Sequence, residues 1–478
     1  MLEIDRFLSH DKTMLIAPAG YGKTHSIAAS LNVLKANGKH LILTHTHAGI
    51  ASIKEKLKKE NIPSNCFHVE TISGFAQRYV LSFYKGNDIP ALGDKSYFGF
   101  ILQKALYYFS LNPIQKILLR SYASLFVDEY QDCTSNQHNL ILLISSLFPT
   151  RFLGDPLQGI FQFDPLDKLV DMTCENQMKG FFSNRYELGQ PQRWLRGNNE
   201  KLGIALKKIR TELLSNKPID LNLYPAIESY CFNEEDIYNP KSEYYNRVNS
   251  LLADNNLLII HPNTTSINPR LSLIKKFKNR FTLLESIDDK DFYKLAVKFD
   301  NVPDGQFAVV MKEICTTVFN KTELDKWFND KGLKSKIKLI DKEALKPLKS
   351  AIDEYEANPC FIKMKKALLE VPKLPMLKCY RKEIFNSLCK SLQYAEIEKT
   401  TVLDAMIEIR NTTRRYGKRA DIKCIGTTLL TKGLEFDTVI ILNAHQFNCP
   451  KNLYVALTRA SKKLIIFSKS KTLTTNNK

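Results

Sequence analysis

The chain has 478 residues, a length that suggests roughly two to four domains, and its 44% hydrophobic and 25% charged residues are typical of a globular rather than a disordered protein. The formal net charge of +19 favours a polyanionic partner, nucleic acid first, with a merely basic surface as the alternative. No run of about 18 apolar residues, no apolar secretion signal and no C-x-x-C pair among the 10 cysteines is present, so we expect no membrane span, no zinc or iron–sulfur site, and a cytoplasmic location.

Short apolar runs alternate with helical patterns along the chain. The runs are TMLIAP, KHLILTHT, SLFVDE, TRFLGD, NLLIIHPN, DTVIILNA and KKLIIFSK, and segments such as AGIASIKEKLKKE between them have the spacing of helices. This alternation predicts an α/β fold in which parallel sheets are covered by helices on both faces. Four runs precede residue 190 and three follow residue 255, so we expect two α/β units.

The first run leads into IAPAGYGKTHS, residues 16–26, which has the pattern of a phosphate-binding loop. A strand, a glycine turn and a helix start aim backbone N–H groups at one point, where the helix dipole adds positive charge. In this pattern Lys23 faces the β- and γ-phosphates and Thr24 holds Mg²⁺. Ala17 stands where the full motif has glycine, and a chance glycine turn is the alternative. The expected nucleotide-binding residues of the loop are Ala17, Ala19, Gly20, Tyr21, Gly22, Lys23, Thr24 and His25.

The third run ends in LFVDEYQD, which places two acids directly after an apolar strand. The carboxyl end of such a strand is where doubly wound sheets carry their sites. Asp128 is therefore a candidate Mg²⁺ ligand, and Glu129 is a candidate base for the water that attacks the γ-phosphate. A solvated acid pair is the alternative, which the phosphate loop upstream makes less favoured.

Two helical insertions and a polar tail complete the chain. Residues 78–122 form a short helical segment, and residues 300–420 form a longer, charge-rich one with few strand signals. The longer segment carries the basic clusters KGLKSKIKLIDK and RNTTRRYGKR, which fit either a solvated helical face, a phosphate track or a docking surface. The tail, residues 469–478, lacks periodicity and predicts disorder.

The motif DEYQD resembles the second motif of UvrD/Rep-like superfamily 1A DNA helicases, and further segments follow in the order of that family. They are LTHTHAGIASIKEKL (Ia), TISGF (Ib), GDPLQGIFQF (III), LGQPQRW (the arginine segment), IIHPNTTS (the start of the second lobe), TTLLTKGLEFD (V) and LYVALTRA (VI). The resemblance covers residues 14–267 with gaps and about 425–467. It implies two RecA-like P-loop NTPase lobes with parallel sheets and reduced helical insertions.

The resemblance also implies a domain order and a set of catalytic residues. Lobe 1A would span residues 1–190 with its 1B insertion at about 78–122, and lobe 2A would span 191–300 and 421–468 around a 2B-like insertion at 300–420. ATP or another triphosphate would bind with Mg²⁺. Beyond Lys23, Thr24, Asp128 and Glu129, the implied residues are Gln158 at the γ-phosphate, the arginines Arg193 and Arg459 that clamp it, and Glu435 near the ribose.

The nucleic-acid side carries weaker signals. Phe163 falls where the family stacks a base, and Phe161 lies on the same strand-like face, although both rings fit a hydrophobic core equally well. A stacked base is worth about 1–3 kcal/mol. The remaining candidates for backbone contacts, each also a common cap or turn residue, are Thr44, His45, Thr71, Ser73 and Asn263.

Three departures from the family concern the nucleotide base. No L-x-x-x-Q pattern precedes the loop, Gln192 replaces the aromatic residue before the clamp arginine, and His25 replaces an arginine after G-K-T. Together they predict relaxed selectivity for the base. His45, Leu429 and the segment CPKN also depart from the family, which makes the strength of DNA contact an open question.

The leading interpretation is a triphosphatase that depends on single-stranded or tailed DNA and translocates 3′→5′ as a helicase of this family. An alternative is a DNA-sensing regulatory subunit that joins an OLD-type nuclease in a hetero-oligomer, as in Gabija-like phage-defence complexes, and unwinds little by itself. The reduced insertions are the feature that favours it. A small-molecule kinase shares the phosphate loop but leaves DEYQD, Gln158 and the paired arginines unexplained.

Overall fold

The computed structural model describes residues 3–90, 94, 96–161, 167–278, 280–284, 290–335, 339–416 and 423–475. The chain divides into two units by the density of its contacts. Unit 1 comprises residues 1–234, 415–417 and 431–478, and unit 2 comprises residues 235–414 and 418–430. The lobe boundaries at residues 190, 300 and 421 that the resemblance implied stay a prediction.

The first six-stranded sheet lies in unit 1 and has the order β3-β2-β4-β5-β1-β6, with every described pair parallel. Four of its strands were predicted. The sequence pattern missed β3, with the half-polar sequence FHVET, and β6, with the charged sequence RYE. The strands are β1 (Lys12–Ile16), β2 (His40–Thr44), β3 (Phe67–Thr71), β4 (Ser124–Val127), β5 (Thr150–Gly154) and β6 (Arg185–Glu187).

Helices cover both faces of this sheet, and each face has its own apolar core. Leu15 and Ile42 point into one core, whereas Met14 and Leu41 point into the other, as the two-residue period of a strand requires. The helices of this part are α1 (Ile4–Leu8), α2 (Lys23–Leu34), α3 (His47–Lys59), α4 (Ile72–Phe83), α5 (Tyr97–Ser110), α6 (Asn112–Ser121), α7 (Ser135–Ser145), α8 (Glu175–Met178), α9 (Gln192–Arg196) and α10 (Glu200–Leu214).

The second six-stranded sheet has the order β10-β13-β9-β14-β15-β8, and its described pairs are also parallel. The prediction of an α/β fold with two parallel sheets, as in two RecA-like lobes, is therefore confirmed. The further strands of the chain are β7 (Ile219–Asp220), β8 (Glu228–Cys231), β9 (Leu257–Ile260), β10 (Thr282–Leu283), β11 (Phe328–Asn329), β12 (Gly332–Leu333), β13 (Lys423–Gly426), β14 (Phe436–Ile441), β15 (Ala460–Ser468) and β16 (Thr472–Leu473).

Residues 290–335 and 339–414 are mainly helical and enclose an apolar core of their own in unit 2. Carboxylates cap the helices there: Asp300 accepts the backbone N–H groups of Val402 and Leu403 at 2.6 and 3.0 Å. The remaining helices are α11 (Glu243–Leu251), α12 (Asn268–Lys276), α13 (Lys290–Asp300), α14 (Phe307–Val318), α15 (Lys321–Leu324), α16 (Leu339–Ala357), α17 (Phe361–Glu370), α18 (Lys382–Glu398), α19 (Val402–Tyr416), α20 (Thr428–Thr431) and α21 (Pro450–Leu457). Within the described ranges, none of the helices has the length and apolar character needed to cross a membrane.

The prediction that the whole tail is disordered is wrong for its first part. Thr472–Leu473 form β16, which pairs antiparallel with β7 at Ile219–Asp220. Leu473 is buried, so one apolar side chain anchors the pairing and offsets the polar composition of its neighbours. Residues 476–478 lie outside the described residues.

Phe152 is the middle ring of a three-ring aromatic stack, and we expect its truncation to destabilise the fold strongly. The ring of Phe152 lies between Tyr130 and Phe181, with centroid distances of 3.7 and 3.8 Å, and is fully buried. We expect Phe152→Ala to lower the free energy of unfolding by about 3–5 kcal/mol, because a cavity replaces the ring. Urea denaturation measures this. Leu223→Ala, at a side chain that is 67% exposed, is the control and should change the value by about 0.5 kcal/mol or less.

Candidate active site

The segments that carry the predicted catalytic residues follow adjacent strands of the first sheet. Strands β4, β5, β1 and β6 are neighbours and run parallel, so their carboxyl ends meet at one edge. The acid pair follows β4, Asp155 and Gln158 follow β5, the phosphate loop follows β1, and Arg193 comes after β6. Parallel sheets commonly place ligand sites at such an edge.

The phosphate loop presents a helix start without a side-chain cap. Gly22 is the N-cap of α2 and has φ 99°, a left-handed conformation that strongly favours glycine. The first backbone N–H groups of a helix have no acceptor within it, and they carry the positive end of the helix dipole. Ala17 donates its N–H to Gly154 at 2.9 Å in the neighbouring strand β5, and its backbone is not left-handed, which explains why alanine is tolerated here. The loop is therefore suited to bind an anion.

The tip of the loop is held by a tryptophan that the sequence pattern did not single out. Trp194 is almost fully buried, lies against Gly20 and donates its indole N–H to the carbonyl of Ala460 at 2.9 Å. A Cβ on Gly20 would meet the Cβ of Arg193 at 2.9 Å, so only glycine fits. Arg193 also donates its backbone N–H to the Gly20 carbonyl at 2.8 Å. The loop is thereby joined to α9 and β15.

Lys23 and Asp128 are buried and form a charged cluster with Glu129, whose side chain is 31% exposed. The Lys23 ammonium lies 2.6 Å from Glu129 Oε1 and 3.5 Å from Asp128 Oδ1. Burial acts to lower the pKa of Lys23, but the two carboxylates more than offset it and raise the pKa. Burial acts to raise the pKa of Glu129, and Lys23 with Lys432 lowers it to about 2, so Glu129 is ionised at neutral pH. Glu129 also has φ 57°, a strained conformation that costs about 1–3 kcal/mol.

The residues present fit a magnesium ion beside the phosphates. Asp128 is buried, and its Oδ1, which pairs with the Lys23 ammonium at 3.5 Å, makes no hydrogen bond with any described residue, so this oxygen can also serve as a ligand of a hard cation. Burial raises the pKa of Asp128, with Lys23 acting in the opposite direction. Thr24 follows Lys23 at the start of α2 and is half-buried. Asp128 and Thr24 are the residues that would hold the ion.

Gln158 is fixed by a network that also reaches Glu129. Its side-chain amide donates to Asp155 Oδ2 at 3.0 Å, and the backbone N–H of Asp155 donates to the side-chain oxygen of Gln131 at 2.9 Å. The amide nitrogen of Gln131 in turn donates to Glu129 Oε2. The predicted γ-phosphate residue and the predicted base are thus joined through two residues to which the sequence analysis gave no role.

The two predicted clamp arginines belong to the same cluster. Arg459 is fully buried and donates to the carbonyls of Val455 at 2.9 Å and Leu434 at 3.2 Å. Burial, with Arg193 nearby, lowers the pKa of Arg459 to about 9. Arg193 pairs with Glu435 through Nε and Oε2 at 2.9 Å and donates to the carbonyl of Thr458. The structure therefore brings the predicted ribose acid, Glu435, into direct contact with a predicted clamp residue.

Lys432 is a functional candidate that the sequence analysis missed. Its ammonium pairs with Asp132, donates to the backbone carbonyl of Gln158 and lies 4.3 Å from the centroid of the Phe161 ring. Burial lowers the pKa of Lys432, and it raises the pKa of Asp132 to about 6. A single lysine in a polar segment gives no periodic signal, so only its contacts identify it.

The predicted nucleic-acid residues fall into different structural settings. Thr71 accepts the Gly74 N–H at 3.0 Å as the N-cap of α4, and Asn263 accepts two backbone N–H groups in its own turn, which are the structural alternatives considered for both. Thr44 is buried at the end of β2, and its hydroxyl has no hydrogen bond with a described residue. Asn263 lies in unit 2, whereas Thr44 and Thr71 lie in unit 1. Their contact with nucleic acid stays a prediction.

Four further predicted residues complete this set. His45 is half-buried with Nε2 3.5 Å from Cys133 Sγ, and burial, with Lys432, lowers its pKa to about 3, so the ring is neutral at physiological pH. Ser73 is half-buried in α4. Phe161 lies beside Lys432, whereas the prediction for Phe163 falls outside the described residues.

The remaining loop residues are placed by packing. Tyr21 is buried and edge-on to Trp194, with ring centroids 6.4 Å apart, and Ala19 is also buried. His25 is exposed, and its Nδ1 lies 3.6 Å from Glu60 Oε1. The side chain of Gln192 donates to that of Gln190 at 3.3 Å.

Comparison with known proteins gives two family matches. Residues 3–164 match a model described as an AAA domain, and residues 377–468 match a model described as the viral superfamily 1 RNA helicase core domain. No curated protein matches the chain. The two matches, which include the phosphate loop and the segments TTLLTKGLEFD and LYVALTRA, support a P-loop nucleotide-binding protein of the superfamily 1 helicase type.

A solved structure also matches, at a much greater distance. It is a complex of Arterivirus nonstructural protein 10, a helicase, with DNA, and it is 11% identical to this chain. The match covers 97% of this chain and 62% of the viral chain, with a TM-score of 0.34. This chain therefore spans under two thirds of that protein, and the low similarity adds nothing to the assignment made from the two family matches.

The Asp132–Lys432 pair predicts a pH dependence of nucleotide hydrolysis. Because the pKa of Asp132 is raised to about 6, this carboxyl takes up a proton as the pH falls through that value, and Lys432 loses its counter-charge beside Gln158. We expect kcat to fall toward low pH with an apparent pKa near 6. Steady-state rates between about pH 5 and 8 measure this. Asp132→Asn is the control for titration of the nucleotide and should remove the step; an identical step in both proteins would contradict the assignment.

Proposed function

We propose that the protein is a nucleic-acid-dependent nucleoside triphosphatase of the superfamily 1A type, which acts as a helicase or translocase on single-stranded or tailed DNA. The observation that carries this proposal is a single cluster in unit 1 that contains Lys23, Glu129, Gln158 and two arginines, Arg193 and Arg459. Each has the chemistry that phosphoanhydride hydrolysis needs, and the two family matches support the class.

Each residue of the cluster would contribute to hydrolysis according to its charge. The backbone N–H groups of the loop and Lys23 would bind the phosphates, and Glu129, ionised because of its low pKa, would accept a proton from the attacking water. Arg193 and Arg459 would stabilise the negative charge that develops on the transferred phosphoryl group. A bound Mg²⁺, held by Asp128 and Thr24, would neutralise phosphate charge.

Lys432 suggests how nucleic acid would influence hydrolysis. It contacts Gln158 on one side and lies over Phe161, one of the predicted nucleic-acid residues, on the other. A base stacked on Phe161 would therefore meet a lysine that also touches the γ-phosphate residue. Stacking of this kind does not depend on sequence, which suits a motor that moves along a strand.

The finer assignments rest on the resemblance. UvrD/Rep-like motifs favour DNA as the bound strand and 3′→5′ as the direction of movement. The second family model, in contrast, describes viral RNA helicases. Hydrolysis rates measured without nucleic acid, with single-stranded DNA and with single-stranded RNA show whether DNA or RNA is the stimulating strand. Partial duplexes with a 3′ or a 5′ tail then test direction. Hydrolysis without displacement of either, together with co-purification of a nuclease, would favour the regulatory-subunit alternative and an antiviral defence role.

The assignment of Glu129 as the base predicts a sharp loss of turnover. Glu129→Gln keeps the side-chain size but removes the proton acceptor, so we expect kcat to fall by roughly 100-fold or more with the nucleotide still bound. Phosphate release and the affinity for a fluorescent nucleotide measure the two effects. Glu175→Gln, at an exposed acid of α8 outside the cluster, is the control. Hydrolysis by Glu129→Gln at the wild-type rate would refute the catalytic assignment.

The departures from the family that concern the nucleotide base predict relaxed selectivity among nucleoside triphosphates. With His25 exposed and Gln192 bonded to Gln190, the loop offers firm phosphate contacts and no aromatic residue before the clamp arginine. We expect kcat/KM values for ATP, GTP, CTP and UTP to lie within about 10-fold of one another. A factor of ten corresponds to about 1.4 kcal/mol, which is roughly the contribution of one hydrogen bond to the base. A strict preference for ATP would contradict this prediction.

A further inference from the structure

Arg210 lies in α10, outside every motif that the sequence analysis identified, yet it contacts the candidate active site. Its Nη2 donates to Asp155 Oδ1 at 3.0 Å. The Asp155 side chain is fully buried, whereas that of Arg210 retains 16% exposure. A buried carboxylate needs a cation and hydrogen bonds to remain charged, and Arg210 supplies both.

The two oxygens of Asp155 have different partners. Oδ1 accepts from Arg210 and, at 3.3 Å, from the backbone N–H of Leu157, whereas Oδ2 accepts from the side-chain amide of Gln158 at 3.0 Å. With Oδ1 held by Arg210, the carboxylate plane is fixed and Oδ2 points to Gln158. The rotamer of Gln158 therefore depends on an arginine in a different element.

The network continues from the backbone of Asp155 to Glu129, the proposed base. The N–H of Asp155 donates to Gln131, and Gln131 donates to Glu129. On the other side, Lys432 contacts the carbonyl of Gln158. Any displacement of Asp155 would therefore also displace Glu129 and Gln158, the residue that Lys432 contacts.

The electrostatics agree with this geometry. Burial acts to lower the pKa of Arg210, and the Asp155 carboxylate more than offsets it, so the pKa is raised and the guanidinium stays charged. Tyr454 of α21 and Tyr21 of the phosphate loop are buried beside the same pair, and burial raises the pKa of both phenols. Both phenols are therefore neutral at physiological pH, and neither adds a charge beside the Arg210–Asp155 pair.

We propose that Arg210 is a positioning residue for the hydrolysis reaction: by fixing Asp155 it sets the rotamer of Gln158 and the orientation of Glu129. The inference rests on the proposed triphosphatase function and adds a residue to it. It does not place Arg210 in contact with the nucleotide. The consequence is a defect in turnover rather than in nucleotide binding.

The test compares Arg210→Gln with wild type in steady-state hydrolysis, with and without single-stranded DNA. We expect kcat to fall roughly 10- to 100-fold, since a small misplacement of catalytic groups has effects of this size. KM and the dissociation constant of a fluorescent nucleotide should change by about threefold or less. Lys208→Gln, which removes an exposed charge from the same helix, should behave as wild type. Unchanged kcat, or a rise in KM alone, would overturn the inference.

A double-substitution cycle separates positioning from general destabilisation. If Arg210 acts through Asp155, Arg210→Gln should cost little further kcat in an Asp155→Asn background, whereas an equal cost in both backgrounds would overturn the inference. Melting temperatures of all four proteins report stability independently of activity. Arg210→Lys, which keeps the charge and loses the planar fork, gives a second readout should Arg210→Gln fail to fold, and we expect it to have an intermediate kcat; a wild-type kcat in it would count against positioning by the fork.

Failure of the inference and failure of the proposed function give different results. If wild type hydrolyses no triphosphate, or if Glu129→Gln hydrolyses as fast as wild type, the proposed function is wrong and Arg210 loses its stated role. If wild type hydrolyses and Glu129→Gln does not, but Arg210→Gln matches Lys208→Gln, the function stands and the positioning role is wrong.

Discussion

The burial of charge is the constraint on which the rest of the site depends. Lys23, Asp128, Asp132 and Asp155 are all nearly inaccessible to water, and leaving any one of them unpaired would cost several kcal/mol. Each therefore has a fixed partner: Lys23 lies between the acid pair, Lys432 pairs with Asp132, and Arg210 pairs with Asp155. These pairs tie together α2, the ends of β4 and β5, α10 and the segment before β14, so the geometry of the site follows from the need to neutralise its own charges.

The same pairs would join the phosphate chemistry to Phe161, a residue proposed to contact nucleic acid. Glu129, Gln131, Asp155 and Gln158 form an unbroken run of hydrogen bonds, and Lys432 continues it to the ring of Phe161. Coupling between two sites requires contacts that both ligands bias. Here a nucleotide would act on Gln158 and Glu129, and a stacked base would act on Phe161 and Lys432, so the two ligands would meet at a single lysine.

The sequence predicted the fold class because periodic apolar runs report burial directly, as TMLIAP and TRFLGD do. It missed strands such as β3 and β6, in which polar residues interrupt the apolar pattern. It predicted a disordered tail because a single buried apolar residue, Leu473, anchors β16. Motifs with fixed spacing identified Lys23 and the acid pair. Lys432, Trp194 and Arg210 escaped notice because each acts through contacts between elements distant in sequence, which spacing alone does not encode.

The most direct test of this account is the affinity for fluorescent single-stranded DNA, measured with and without a non-hydrolysable triphosphate and Mg²⁺. Binding equilibria are reciprocal, so if nucleotide and strand are coupled through Lys432 and Gln158, each must change the affinity for the other by the same factor. We predict a change of about fivefold or more in wild type and a much smaller one in Lys432→Met. Strand affinity that is the same with and without the nucleotide would contradict the central claim.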